Sequence, residues 1–88
     1  MTITILNSAY KHDITEESIR FCLFNFQNDL VIGDSPLKRL FVGFDHRGIP
    51  LEIIAIEDEE QDLLFIIHAM KLRKQFYPLL AEGSAYEH

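Results

Sequence analysis

The chain has 88 residues, 48% of them apolar, with ten aromatic residues and no tryptophan. That length allows one domain, 1–88, and that apolar content excludes a disordered tail or linker. Fourteen acidic residues against eight basic ones give a formal charge of -6, which taken whole is the wrong sign for a nucleic-acid partner.

Ile3 and Ile5, alternating with Thr2 and Thr4, begin a short strand or lead into a helical segment through Tyr10-Lys11-His12. The next signal is sharper. Thr15 reads as an N-cap, Glu16 and Glu17 suit the first turn of a helix, and Ile19, Cys22, Leu23 and Phe26 recur at helical spacing. An amphipathic helix over Thr15–Phe26 follows. Leu30-Val31-Ile32-Gly33 is a short strand closed by Asp34-Ser35-Pro36. Lys38–Phe44 alternates, with Leu40, Val42 and Phe44 on one face and Arg39, Phe41 and Gly43 on the other. Asp45-His46-Arg47-Gly48 is a hairpin connection to a strand at Leu51–Ile56, and Leu63–His68 is a further, nearly continuous apolar strand. Met70–Leu80 reads as a basic terminal helix that Pro78 kinks or ends. The expected class is α+β: an N-terminal helix or helices, a three- to four-stranded antiparallel meander, and a C-terminal helix.

The longest fully apolar run is Leu63–Ile67, far short of the roughly 20 residues of a spanning helix, so no membrane partner is expected. The N-terminus lacks the basic and small-residue signals of a secretory leader, and Cys22 has no second cysteine to pair with. Both point to the cytoplasm. Cys22 lies on the apolar face of the first helix, where an inert core thiol is expected. His12, His46, His68 and His88 show no metal-ligand spacing, so neither a metal nor another cofactor is expected.

The charges are unevenly placed. Glu57, Asp58, Glu59, Glu60 and Asp62 carry five of the negative charges in one turn, leaving the remainder near neutral. Six of the eight basic residues fall in two stretches: Lys38, Arg39 and Arg47, then Lys71, Arg73 and Lys74. A meander able to bring these stretches together would form a local anion site that the total charge hides.

Lys11-His12-Asp13-Ile14-Thr15-Glu16-Glu17 resembles the lysine-histidine-glycine entry to the second helix of BrnT-like toxins, in the RelE/ParE superfamily. Lys38-Arg39 leading into Phe41-Val42-Gly43, the turn Asp45-His46-Arg47-Gly48, the strand Leu51–Ile56, and Ile66-Ile67-His68-Ala69-Met70 before a basic helix follow the same order, over roughly residues 10–80. Asp13 stands where that family prefers glycine. The resemblance implies a RelE-like fold and the toxin of a bacterial type II toxin–antitoxin pair: a metal-independent ribonuclease with an RNA substrate and a cognate antitoxin, as a homodimer or a toxin–antitoxin hetero-oligomer.

Metal-free RNA cleavage needs a base for the 2′-hydroxyl proton, cations on the phosphorane-like charge and an acid for the leaving oxygen. His12 or His68 is the acid–base candidate, with Arg39 and Arg73 as catalytic cations. Arg47 joins them at the phosphate, Lys38, Lys71 and Lys74 are further RNA contacts, and Tyr77 is a base-stacking or donor group. The geometric expectation is that Arg39, Arg47 and Arg73 share one face, with the acidic turn away from it. The competing reading is a non-catalytic interaction module that binds a partner chain through a sheet edge or its terminal helix.

Overall fold

The structure is a computed structural model that describes residues 1–80; His88 lies outside the described residues. Five strands, β1 (Thr2–Ile5), β2 (Asn28–Asp34), β3 (Leu37–Phe44), β4 (Pro50–Asp58) and β5 (Leu63–Lys71), form one sheet in the order β1-β5-β4-β3-β2. The helix α1 (Glu16–Phe24) lies on one face of it. The class is α+β, and β2 to β5 form the expected antiparallel meander.

The sheet is larger than expected and mixed. β1 joins it parallel to β5, from Thr2 opposite Leu63 to Ile5 opposite Ile66. The alternation of threonine and isoleucine explains the choice of strand over helix: Ile3 and Ile5 pack on the core beneath α1 while Thr2 and Thr4 stay exposed.

α1 starts where its sequence signals it. The Thr15 hydroxyl accepts a hydrogen bond from the Ser18 amide at 3.2 Å, and Glu16 and Glu17 occupy the first turn. It stops at Phe24, two residues before the expected end. Asn25 leaves helical geometry at φ -135°, and its side-chain amide donates to the Phe21 carbonyl at 2.9 Å. Ile19, Cys22 and Leu23 bury against Phe41, Leu51, Ile53, Ile66 and Ala69. The helix can approach β3 closely because Gly43 has no side chain. A Cβ there would stand 2.9 Å from the Phe26 Cα and 3.2 Å from the Cys22 Sγ.

The other face carries a smaller core of Leu40, Val42 and Leu72, with Ile54, Phe76, Leu79 and Leu80 packed on it. This face is covered by the segment after β5. The terminal helix expected from Met70 onward is corrected here. Met70 and Lys71 continue the β5 ladder opposite Glu52 and Leu51, and the Leu72 amide still donates to the Pro50 carbonyl at 2.9 Å. A short 3-10 turn follows at Lys74–Phe76, and helical backbone begins only at Pro78. Proline there opens a helical turn, where a missing amide hydrogen costs nothing, and does not end one. No helix of the described residues is long and apolar enough to cross a membrane.

Candidate functional site

The site is built on Glu52, an acidic residue set among apolar ones in the first half of β4. In β4, Leu51, Ile53 and Ala55 point into the core beneath α1. Glu52, between them, faces the opposite side of the sheet and is fully buried. A buried carboxylate must be compensated, and here every partner is a predicted site residue. The Arg73 guanidinium donates from Nη2 to Oε2 at 2.7 Å and from Nε to both oxygens at 3.1 Å. The Arg73 amide donates to Oε1 at 3.0 Å, and His68 Nε2 lies 3.1 Å from Oε2. Burial pushes the Glu52 carboxyl upward. The hydrogen bonds from the Arg73 side chain, the Arg73 amide and His68, with the charge of Arg73, outweigh that and hold it below its ordinary range.

An ionised carboxylate only accepts, so the hydrogen on His68 Nε2 points at Glu52 and the tautomer is set by that contact. Nδ1 is thereby left as the nitrogen able to take a proton. The His68 ring meets His12 edge-on, at 5.6 Å between centroids and 73° between planes. His12 reaches this point from the far end of the chain. After β1, the Leu6 amide donates to the Ile66 carbonyl, Ser8 Oγ donates to the Ile67 carbonyl at 2.8 Å, and Ala9 is buried in the core. This 3-10 turn, Asn7–Tyr10, wraps the segment around β5. Asp13 then turns the chain into α1 with a left-handed φ of 62°.

Three of the four residues expected to be catalytic thus lie together: His68 and Arg73 are bonded to Glu52, and His12 stands against His68. Sequence reasoning passed over Glu52 as one more strand residue. Its only signal was an isolated acid between Leu51 and Ile53. The Arg73 side chain remains 48% exposed, its guanidinium carbon 5.4 Å from the centre of the Phe76 ring. Hydrogen bonding to Glu52 and its charge raise the arginine's affinity for its proton further.

The shared arginine face is corrected. Arg39 points to the α1 side of the sheet, where Nη1 lies 2.6 Å from Asp29 Oδ2 and Nε lies 3.2 Å from Glu57 Oε1. Strand alternation separates it from Arg73, which sits with Glu52 on the opposite face. Arg47 lies in the β3–β4 hairpin and pairs with Asp45, Nη2 to Oδ2 at 3.2 Å. That hairpin stands at the same end of the sheet as Arg73. Lys38 is at the distant end of β3, opposite Ile56, while Lys71 closes β5 and Lys74 and Tyr77 are exposed just beyond it. The acidic turn joins β4 to the start of β5, roughly 25 Å along that strand from its end at Lys71. It stands away from Arg73, but its first residue is a partner of Arg39.

A second buried carboxylate, Asp45, organises the β3–β4 turn and is only 2% exposed. Oδ1 accepts from the Arg47 and Ile49 amides at 2.8 and 2.9 Å, and Oδ2 accepts from Ser18 Oγ at 3.1 Å. Burial raises its pKa, and the bonds from Ile49, Arg47 and Ser18 outweigh that and lower it. This contact pins α1 to the hairpin. Cys22, buried beneath the same helix, has its thiol pushed up to about 12 by burial and by the charge of Asp45. It is a fully buried core thiol, on the apolar face of the helix where its spacing places it. Among the described residues no cluster of three or more His, Cys, Asp or Glu side chains is placed to hold a metal ion.

Comparison of the chain with protein-family models, with curated proteins and with solved structures gives no match.

Proposed function

We propose that the chain is a metal-independent endoribonuclease, acting as the toxin of a type II toxin–antitoxin pair, with its reaction centre at His12, His68 and Arg73. The observation that carries this reading is the pair of imidazoles beside a half-exposed arginine, with the buried Glu52 fixing one imidazole and the arginine together. Two imidazoles supply what the reaction needs. One, as base, takes the 2′-hydroxyl proton as O2′ bonds to phosphorus; the other, as acid, protonates O5′ as the P–O5′ bond breaks. A 2′,3′-cyclic phosphate and a 5′-hydroxyl result. Arg73 neutralises the charge that builds on the non-bridging oxygens. His68, whose Nε2 is engaged by Glu52, is assigned as base and His12 as acid. Lys11 beside His12, Lys74 beside Arg73, and Tyr77 are the adjoining groups for the RNA chain.

The BrnT-like resemblance supports the same reading at one further point. Glycine is preferred there where this chain has Asp13, and Asp13 occupies the left-handed conformation that glycine adopts most readily.

The test is expression of the chain alone and together with the product of its neighbouring gene, paired with incubation of the purified protein with a short RNA. Growth arrest relieved by the neighbour, and cleavage that ends in a cyclic phosphate and is blocked by a 2′-deoxy substitution at the cut site, support it. Absence of arrest, with no cleavage by folded protein, overturns it in favour of an interaction module. One feature favours that second reading: the edge strand β2 leaves Leu30, Val31 and Ile32 between 41% and 55% exposed, open to pairing with another chain.

A further inference from the structure

On the face of the sheet opposite the histidines, α1 covers only part of the strands and leaves an open groove of about 440 Å³. Its floor is apolar and well buried: Leu23, Phe41 and Leu64, with Ile3 beside them. Its rim is apolar and exposed, with Phe24 at 72% and Phe26 at 42%. The charged groups that line it, Arg39, Asp29 and Glu57, are already bonded to one another, and the described residues hold no buried polar side-chain atom without a partner. With these charges paired and the rest of the lining apolar, the groove favours an apolar occupant over a small polar ligand. What remains is apolar surface and a field.

The field comes from the acidic turn. Glu57 and Leu64, both in the groove's lining, bracket Asp58, Glu59, Glu60 and Asp62, and Met1, also in the lining, joins its amino group to Asp62 at 3.2 Å. Glu59 and Glu60 are exposed. The densest negative charge of the chain thus borders this open apolar groove.

We infer that this groove is a docking site for a cationic amphipathic segment of a partner protein, apolar side chains seated over Phe41 and Leu64 and Lys or Arg side chains set against Glu59 and Glu60. Apolar contact supplies the affinity, and the acidic turn supplies orientation and speed of encounter. An acidic or neutral segment would gain only the first. The site is independent of the proposed reaction centre, because the sheet lies between them.

Because the chain has no tryptophan, Phe24→Trp places a sole indole reporter on the rim. The probe is a synthetic peptide of alternating leucine and lysine pairs, with a control in which every lysine is glutamate. The expected result is a saturable blue shift of the indole with the lysine peptide, one peptide per chain, and none with the glutamate peptide. The doubly reversed turn, Glu59→Lys with Glu60→Lys, weakens binding by roughly tenfold or more, and so does raising salt from about 0.05 M to about 0.5 M. Phe24→Asp in the otherwise unaltered chain, followed with a labelled peptide, also weakens it roughly tenfold, whereas His68→Ala leaves it unchanged. Phe24, Glu59 and Glu60 are exposed, so the fold survives their alteration, and circular dichroism will verify it for every variant, His68→Ala included. No saturable binding, equal binding of both peptides, binding indifferent to Phe24→Asp, or a groove filled by a second copy of the chain in sedimentation overturns the inference.

Discussion

Arg73 grips Glu52 twice, through its side chain and through its own backbone amide, with contacts of 2.7 to 3.1 Å. The chain leaving β5 is thereby fastened near the start of β4 at the point where His68 meets the same carboxylate. Glu52→Gln keeps the shape and removes the charge. It is expected to lower stability by about 2 kcal/mol, the scale of a hydrogen bond to a charged group with a buried partner, in urea denaturation at neutral pH. A variant as stable as the parent would show that the carboxylate is not what fastens this segment.

The same carboxylate gives the protein an acid limb. Glu52 and Asp45 both have folded values below their ordinary ones of 4.5 and 3.8. Their stabilisation is complete above those ordinary values and is lost as pH falls through the lower folded values. Melting temperature should therefore be level down to about pH 5 and then fall, and Glu52→Gln should flatten the fall. A parent whose melting temperature stays constant to pH 2 would contradict this.

Cleavage assays on the reaction centre should separate the arginines. His12→Ala and His68→Ala are each expected to lower kcat by ~10²–10⁴-fold, and Arg73→Ala by ~10²–10³-fold. Arg39→Ala, on the far face, is expected to leave kcat within a few-fold of the parent, because no acid–base or phosphate role reaches through the sheet. Rapid cleavage by Arg73→Ala, or a large loss in Arg39→Ala, would reverse the assignment.

Much of the fold was legible in local pattern, and the exceptions share one physical cause. Thr15-Glu16-Glu17 marked the start of α1 because capping depends on neighbours in sequence. The meander was legible because short turns force consecutive strands together. The place of β1 was not, since its partners lie about 60 residues further along the chain. The end of β5 was not either, since Met70 and Lys71 pair back with Glu52 and Leu51 across the whole β4–β5 hairpin. Met70 and Lys71 have helical neighbours in pattern but strand partners in space. At the site, His12, His68 and Arg73 could be named for their chemistry. That they meet, and that Arg39 does not join them, follows from which side of a strand each faces, and Glu52 decides it unseen.

Gly43→Ala tests the packing of α1 on β3. Its Cβ would fall 2.9 Å from the Phe26 backbone, which cannot yield as a side-chain end would. Overpacking should cost about 1–3 kcal/mol, at roughly 4–8 °C of melting temperature for each. An unchanged melting temperature would mean that the helix can ride higher on the sheet.

Asp13→Gly tests the left-handed turn into α1. Relief of the φ of 62° should raise stability by up to about 1 kcal/mol, seen in urea denaturation with the secondary-structure signal retained. A clear loss of stability would show that the Asp13 side chain, and not its backbone, holds the turn.

The wrap of the first twelve residues around β5 has a consequence in time. His12 precedes His68 and Arg73 in the chain, so it leaves the ribosome before either of them. β1 can find its parallel partner only once β5 exists, and such distant pairings form slowly. A nascent chain therefore carries His12 without its imidazole partner until β5 has been made. Any activity housed there begins only after β5 and Arg73 have both emerged and β1 has found its place beside β5.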